Sequence, residues 1–407
     1  MVKYKVKCLN CGKEVTGWTL TCSCNSLLRA YYNNAFEVKN LPGMWKYLDW
    51  LPCEKPLDTK VGPVTYKSEG LAKELGLNNL YISFNGYWPE KSAYNMTCSF
   101  KDLEASPTVS RALDHGVKAL LISSAGNTAR AFAHVSNITG FEIYLLVPEA
   151  YLFRMWTPGK PNENIHLIAV KGDYLDAITL RNQYSEVKGI PIEGGVKNVA
   201  RRDGMGTVML DGACAIGKIP KHYFQAIGSG VGAIACWEMA LRLRENGWQN
   251  WTKLNLSQNS PFVPIYHAWR AGRGEVLPED MQNAEESIKE VYSTVLTNRK
   301  PPYSVKGGVY DALKDTNGEM YAVTNVEAEE AGKVFESSEG IDPLPAANIA
   351  IASLIQAVNE NKIETNDTIL LNVTGGGLKR LKEDYELNYI KPKIVVENIQ
   401  DLSNFNL

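Results

Sequence analysis

The sequence predicts an α/β protein built on open, mostly parallel sheets flanked by helices, with a small Cys-rich ribbon at its start. Three observations carry this. Short apolar runs of strand length recur along the chain, stretches of helical period separate them, and glycine turns stand where several strands pass into helices. VKALLIS (117–123) is continuously apolar, as a strand covered on both faces should be.

The chain of 407 residues is long enough for two or three structural units around a sizeable core. Hydrophobic residues make up 44% and charged residues 22%, an ordinary globular composition. Lys+Arg 43 against Asp+Glu 45 leaves a net charge of −2, which gives no electrostatic case for nucleic acid or an anionic membrane. No apolar run approaches the roughly 18 residues of a membrane span. The opening MVKYKVKCLNCG lacks an apolar signal region, so a cytoplasmic protein is expected.

Cys8, Cys11, Cys22 and Cys24 follow the pattern C-x2-C-x10-C-x-C, whereas Cys53, Cys98, Cys214 and Cys236 are scattered as reduced thiols usually are. Two close pairs across a loop could wrap a tetrahedral thiolate site around zinc. The second pair is one residue tighter than the usual knuckle, which strains joint ligation. A metal-free remnant and a redox-labile pair therefore stay open beside zinc, and each reading is structural rather than catalytic. Residues 31–70 mix aromatics with Pro and Gly and predict irregular packing.

From there strands and helices alternate. VKALLIS leads into SAGNTARAFAHVSNITG, a turn and a small-residue helix with a glycine stop; FEIYLLVP (141–148) and IHLIAVKG (165–172) are the next strands. FQAIGSGVGAIACWEMALRLRENG (224–247) reads as strand, glycine turn and helix, TKLNLSQN (252–259) as a strand, and TILLNVTGGG (368–377) as a late strand running into glycine. The segment 271–318 is polar and rich in Pro and Gly, a loop region or surface helix expected to offer little chemistry.

Four stretches are candidates for chemistry. Lys101, in TCSFKDLE, is either a solvated first-turn residue or an amine held for reaction. Gly228, Ser229, Gly230, Val231 and Gly232 join a strand to a helix, where crowded amides and the helix N-terminus suit an anion such as phosphate; alone, they are as readily a tight structural turn. Ser124, Ala125, Gly126, Asn127 and Thr128 occupy the same kind of junction and could bind a carboxylate, or merely cap the helix. Thr374 ends a strand at the edge where open α/β sheets place ligands. Together and in this order, a Schiff-base lysine, a carboxylate turn, a phosphate cup and a strand-end hydroxyl describe a pyridoxal phosphate site.

On these residues the chain resembles the threonine synthase branch of the type II pyridoxal-phosphate enzymes over nearly its whole length. The shared segments are Ser99-Phe100-Lys101-Asp102, the turn from Ser124 to Thr128, the cup from Gly228 to Gly232, Glu339 to Pro343, and Thr374 to Lys379. The Cys-rich start is similar to that of long archaeal-type members. The resemblance implies the type II (tryptophan synthase β-like) fold with two such sheets. It divides the chain into a ribbon (1–30), a large cofactor domain (31–107 and 201–407) and a smaller mobile domain (108–200) carrying the Asn127 loop. It implies Lys101 as covalent carrier of pyridoxal 5′-phosphate, Asn127 on the ring 3′-oxygen, residues Gly228 to Gly232 on the phosphate and Thr374 on the ring nitrogen. A hydroxyl there leaves that nitrogen largely unprotonated, which suits eliminations. Ser124, Ala125, Gly126 and Thr128 would take the substrate carboxylate.

The family's S-F-K-D-R-G and T-G-H-G are here continued by Leu103-Glu104 and by Gly375-Gly376-Gly377, and the segment from Ala200 to Thr207 only partly follows R-x-x-G-Q-K-T. These departures lie toward the substrate rather than the cofactor. The pattern is similar to members in methanogenic archaea that make L-cysteate from O-phospho-L-serine and sulfite for coenzyme M biosynthesis. Threonine formation from O-phosphohomoserine and water, a sulfide-using cysteine synthesis, and a non-catalytic binding protein with a zinc-ribbon module are the alternatives. Two anions must then be held near Cβ; Thr97, Ser99, Arg201 and Arg202 are the candidates, with a surface role for the arginine pair equally open. The five histidines show no metal spacing. Association through the large domain into a homo-oligomer is expected.

Overall fold

The computed structural model describes residues 3–403. Two sheets organise them. Their strands, numbered in chain order, are β1 (Val64–Lys67), β2 (Leu80–Phe84), β3 (Ala119–Ser123), β4 (Glu142–Pro148), β5 (Ile165–Val170), β6 (His222–Ala226), β7 (Lys253–Asn259), β8 (Glu319–Val323), β9 (Ile369–Val373) and β10 (Ile394–Val396). The larger sheet runs β8-β7-β6-β9-β2-β1, parallel except at the edge pair β1–β2. The smaller runs β10-β5-β4-β3 and is parallel throughout.

Strands β6 and β9 are buried along their length, with Tyr223 and Leu370 facing one apolar cluster and Phe224 and Leu371 the other. Burying each such side chain contributes about 1.5–3 kcal/mol to holding the centre of this sheet together. Strand β10 comes from a segment that the sequence places with the larger sheet. Instead Ile394, Val395 and Val396 pair with Ile168, Ala169 and Val170. Three β-branched residues between Lys393 and Glu397 are too short a run to reveal their partner.

Four helices position the site: α1 (Asp102–Asp114), α2 (Asn127–Thr139), α3 (Val199–Ile216) and α4 (Val231–Glu245). The Asn198 side chain caps α3 by accepting from the amides of Ala200 and Arg201, at 3.0 and 3.4 Å. α3 crosses α1 at Gly204, where a Cβ would stand 2.0 Å from the Leu103 carbonyl oxygen. That close crossing holds the start of α1, and with it Lys101, against the start of α3.

The N-terminal ribbon is a three-stranded antiparallel sheet with Tyr4–Cys8 at its centre. After it, where the sequence predicts irregular packing, a 3-10 helix from Gly43 to Trp50, kinked at Tyr47, buries Trp45, Tyr47 and Trp50 in the main core. Among the described residues no helix is long and apolar enough to cross a membrane.

Candidate active site

The glycine turn leaves the C-terminal end of β6, and Thr374 that of its neighbour β9. The 124–128 turn leaves β3, and the short helical turn Glu149–Arg154 leaves β4 beside it. The two sheets thus present their C-terminal edges to one cavity of about 510 Å³. Phe100 and Ser99 pin Lys101 into it: the Phe100 amide donates to the Thr374 carbonyl at 3.0 Å, and Ser99 bridges to Gly375. The lysine and the strand-end threonine therefore move as one unit.

The Lys101 side chain is 20% exposed, and its Nζ lies 3.2 Å from Glu104 Oε2. Burial lowers its pKa from the ordinary lysine value; Glu104 opposes that shift and the charge of Arg201 adds to it. A larger neutral fraction makes the amine a better nucleophile and proton acceptor. Glu104 is fully buried and also accepts from Thr128 Oγ1 at 2.7 Å and Arg201 Nη1 at 3.0 Å. Arg201 in turn makes a two-point contact with Glu193, 2.8 Å on each arm. Burial alone would raise the Glu193 carboxyl, but Arg201 and hydrogen bonds from Gly195 and Asn198 outweigh it and hold it below the ordinary range. A largely buried Lys–Glu–Arg–Glu chain thus runs from the Lys101 amine to the loop before α3.

The glycine turn is a cradle that side chains would destroy. A Cβ on Gly228 would lie 2.7 Å from the Leu296 carbonyl oxygen, and one on Gly230, where φ is +78°, 2.3 Å from Val309 Cγ2. Among the described residues no acceptor meets the amides of residues 228–233, so they are free to converge on an anion. Across the cavity, Arg130 Nη2 donates to Asn127 Oδ1 at 3.1 Å. A guanidinium can only donate, so the Asn127 carbonyl oxygen faces Arg130 and its NH2 group is left to donate elsewhere. A lysine amine, an amide cup, an amide donor and a strand-end hydroxyl around one cavity fit pyridoxal phosphate.

Of the residues singled out from sequence, Ser99, Lys101, the 124–128 turn, Arg201, the 228–232 turn and Thr374 all line this cavity. Two do not. Thr97 is fully buried behind the wall, its amide and hydroxyl bonded to the Asp102 carboxylate at 2.9 and 2.6 Å. Arg202 points the other way, with Nε 3.0 Å from Glu238 and its remaining nitrogens on the Val196 and Leu28 carbonyls. Neighbours on a helix face apart by about 100°, which is why only one arginine of the pair can reach the cavity. Neither lies on the surface.

The expectation for 271–318 also fails, because residues 292–298 form a wall of the cavity and Leu296 backs the glycine turn. Glu104, Glu193, Arg130, Arg154 and Thr294 are further polar groups that the sequence reading misses. Only Glu104 carries a local signal, since it stands where the S-F-K-D motif departs from the family's pattern.

Away from the cavity, the sulfurs of Cys8, Cys11, Cys22 and Cys24 lie within 4.8 Å of one another. The tight C-x-C pair does not splay them: Cys22 is 3.1 Å from Cys8 and 3.9 Å from Cys11. A tetrahedral zinc–thiolate site needs sulfurs roughly 3.8 Å apart, so the donor set is compatible with zinc.

The model of the family described as pyridoxal-phosphate dependent enzyme matches residues 61–375. The chain is 53% identical over 406 residues to the cysteate synthase of Methanosarcina acetivorans, covering 98% of both chains. It is 51% identical to that of Methanocella paludicola, covering 98% of this chain and 95% of the relative. The chain belongs to the cysteate synthase family of pyridoxal-phosphate-dependent enzymes. Maize serine racemase superposes with a TM-score of 0.55 at 16% identity, covering 79% of this chain and 90% of its own. That match shows the type II fold. The protein is therefore an enzyme of small molecules that uses pyridoxal phosphate.

Proposed function

We propose that the enzyme converts O-phospho-L-serine and sulfite to L-cysteate and phosphate. The reading is supported by one observation above the rest. A buried amine with a lowered pKa stands between a cup of free amides and a polar turn, in a chain about half identical to cysteate synthases along its full length.

Residues 228–232 would hold the cofactor's phosphate, Asn127 its 3′-oxygen, Thr374 its ring nitrogen, and Lys101 its aldehyde carbon. When bound, the cofactor withdraws electrons from the substrate's α-carbon and makes its proton acidic. The amides of Ala125, Asn127 and Thr128 and the Ser124 hydroxyl hold the substrate carboxylate, while the Thr128 hydroxyl stays on Glu104. Once the substrate's amino group has taken its place on the cofactor, the freed Lys101 amine would take the α-proton as general base. The Cβ–O bond breaks and phosphate leaves with its electron pair. The sulfur lone pair of sulfite forms the new bond at Cβ, and Lys101 returns the proton to Cα. Glu104 keeps the amine on the cavity side through each transfer.

The test incubates the holoenzyme with phosphoserine and sulfite and measures cysteate and released phosphate in equal amounts. Threonine from phosphohomoserine, with no cysteate from the first mixture, would replace this reading by the threonine synthase one.

We also infer that the cysteine cluster holds zinc as a structural clamp. The ribbon it closes touches the loop carrying Glu193: Trp18 Nε1 donates to the Ile192 carbonyl at 3.3 Å, and Lys197 Nζ to Asn25 Oδ1 at 2.8 Å. Metal analysis should find about one zinc per chain, and Cys22→Ser should lower both zinc content and Tm. A metal-free protein whose Tm is unmoved by chelator would refute the clamp.

A further inference from the structure

We propose that Arg154 is the specificity-determining anion site of the reaction, holding the side-chain phosphate of the amino-acid substrate and then the incoming sulfite. The proposal rests on the β-replacement reading above, and it names a group that neither the motifs nor the glycine turns indicate.

Charge balance narrows the choice. Two anions must dwell near Cβ, and a guanidinium already paired to carboxylates is poorly placed to bind them. Arg201 is neutralised by Glu104 and Glu193, and Lys101 by Glu104. Arg130 is almost wholly buried, stacked on Trp156, with its terminal nitrogens on the Thr97 and Arg154 carbonyls and on Asn127. Lys382 is exposed at the rim. Arg154 is different. It is half-buried in the cavity wall, and no carboxylate among the described residues pairs with it.

Its position is built rather than incidental. Nη1 donates to the Ala125 carbonyl at 2.9 Å, and Nη2 to Thr294 Oγ1 at 2.6 Å. The head therefore spans from the turn that receives the substrate carboxylate to the 292–298 wall behind the cofactor cup. Its stem crosses Gly126, where φ is +137° and a Cβ would stand 2.7 Å from Arg154 Cδ. Only glycine lets the arginine lie there. The Tyr151 and Phe153 rings lie 4.7 and 5.0 Å from the guanidinium carbon and fix its plane. The N–H groups not used in these contacts remain for a tetrahedral or pyramidal oxyanion, and Thr294, whose oxygen accepts from Arg154, keeps its own proton to donate. A substrate bound by its carboxylate at the 124–128 turn carries its phosphate only a few bonds away, within the reach of this fork.

The experiment titrates holoenzyme with three amino acids and follows the visible spectrum of the cofactor. L-Phosphoserine and L-cysteate carry a side-chain anion; L-alanine shares only the α-carboxylate. Arg154→Gln should weaken phosphoserine and cysteate on the order of 10- to 100-fold and leave alanine within about threefold. Arg154→Lys should fall between, since it keeps the charge but loses the fork. Inorganic sulfate should compete with phosphoserine in the wild type and not in Arg154→Gln. Should the glutamine variant fail to retain cofactor, Thr294→Val reports on the same site and should give a smaller loss with the same selectivity. Equal weakening of all three amino acids, alanine included, would place the α-carboxylate on Arg154 and overturn the proposal, as would unchanged cysteate binding. If wild-type enzyme binds cysteate through Arg154 yet makes none from phosphoserine and sulfite, the reaction is wrong and the anion site stands.

Discussion

Lys101→Ala should fold normally, retain no covalently attached cofactor and lose activity by about a thousandfold or more. The expected stability is close to wild type for a physical reason. Lys101 is the residue immediately before α1, and alanine is at home there. Glu104 keeps Arg201 and Thr128 as partners once the lysine is gone, so no buried charge is left alone. The amide cup and Asn127 are untouched, so the cofactor can still dock without a covalent link. Borohydride reduction followed by intact mass measurement separates the cases: the wild-type chain gains one reduced cofactor and the variant gains none. A variant that still gained that mass, or still released phosphate from phosphoserine at wild-type rate, would remove Lys101 from the chemistry.

The parts of this site that can be read in the sequence are those made locally. The 228–232 and 124–128 turns each join one strand to the next helix, so glycine, serine and asparagine in a dozen residues suffice to mark them. Thr374 is marked by the strand before it and the glycines after it. Lys101 is marked locally only by the short segment Ser99 to Asp102, and its reading as an amine held for reaction comes through the order of the other three. What stays hidden is made by distant pairs. Glu104 meets Arg201 because Gly204 lets α3 lie against α1, a crossing that no periodicity announces. Arg154 and Thr294 meet across 140 positions of chain. The 292–298 wall is polar and irregular, and such segments read as surface until a fold turns them inward. The same limit explains Arg202, whose partner Glu238 lies on α4, a helix the sequence cannot orient.

Arg201→Met should destabilise the enzyme by about 3–5 kcal/mol near neutral pH and less in acid. The guanidinium lies between two buried carboxylates, Glu104 and Glu193, and methionine fills much of its volume without its charge. In the wild type Glu193 is held below its ordinary value of 4.5 by Arg201 and its hydrogen bonds, against burial. A depressed carboxyl stabilises the fold above its unfolded pKa, and that contribution fades as pH falls through the folded value. Without Arg201 burial prevails and the carboxyl rises instead. The variant then gains protons on folding, so its stability declines as pH climbs past the unfolded value near 4.5. The two Tm–pH curves should therefore diverge from acid toward neutral pH, with the wider gap at pH 7. Loss of Arg201 also removes a positive charge that lowers the Lys101 amine. With Glu104 still beside it, the amine becomes more basic, and attachment of added pyridoxal phosphate to apoprotein should need a higher pH than in the wild type. Parallel Tm curves and an unshifted attachment profile would mean that the buried chain from Glu193 to Lys101 does not couple fold to chemistry.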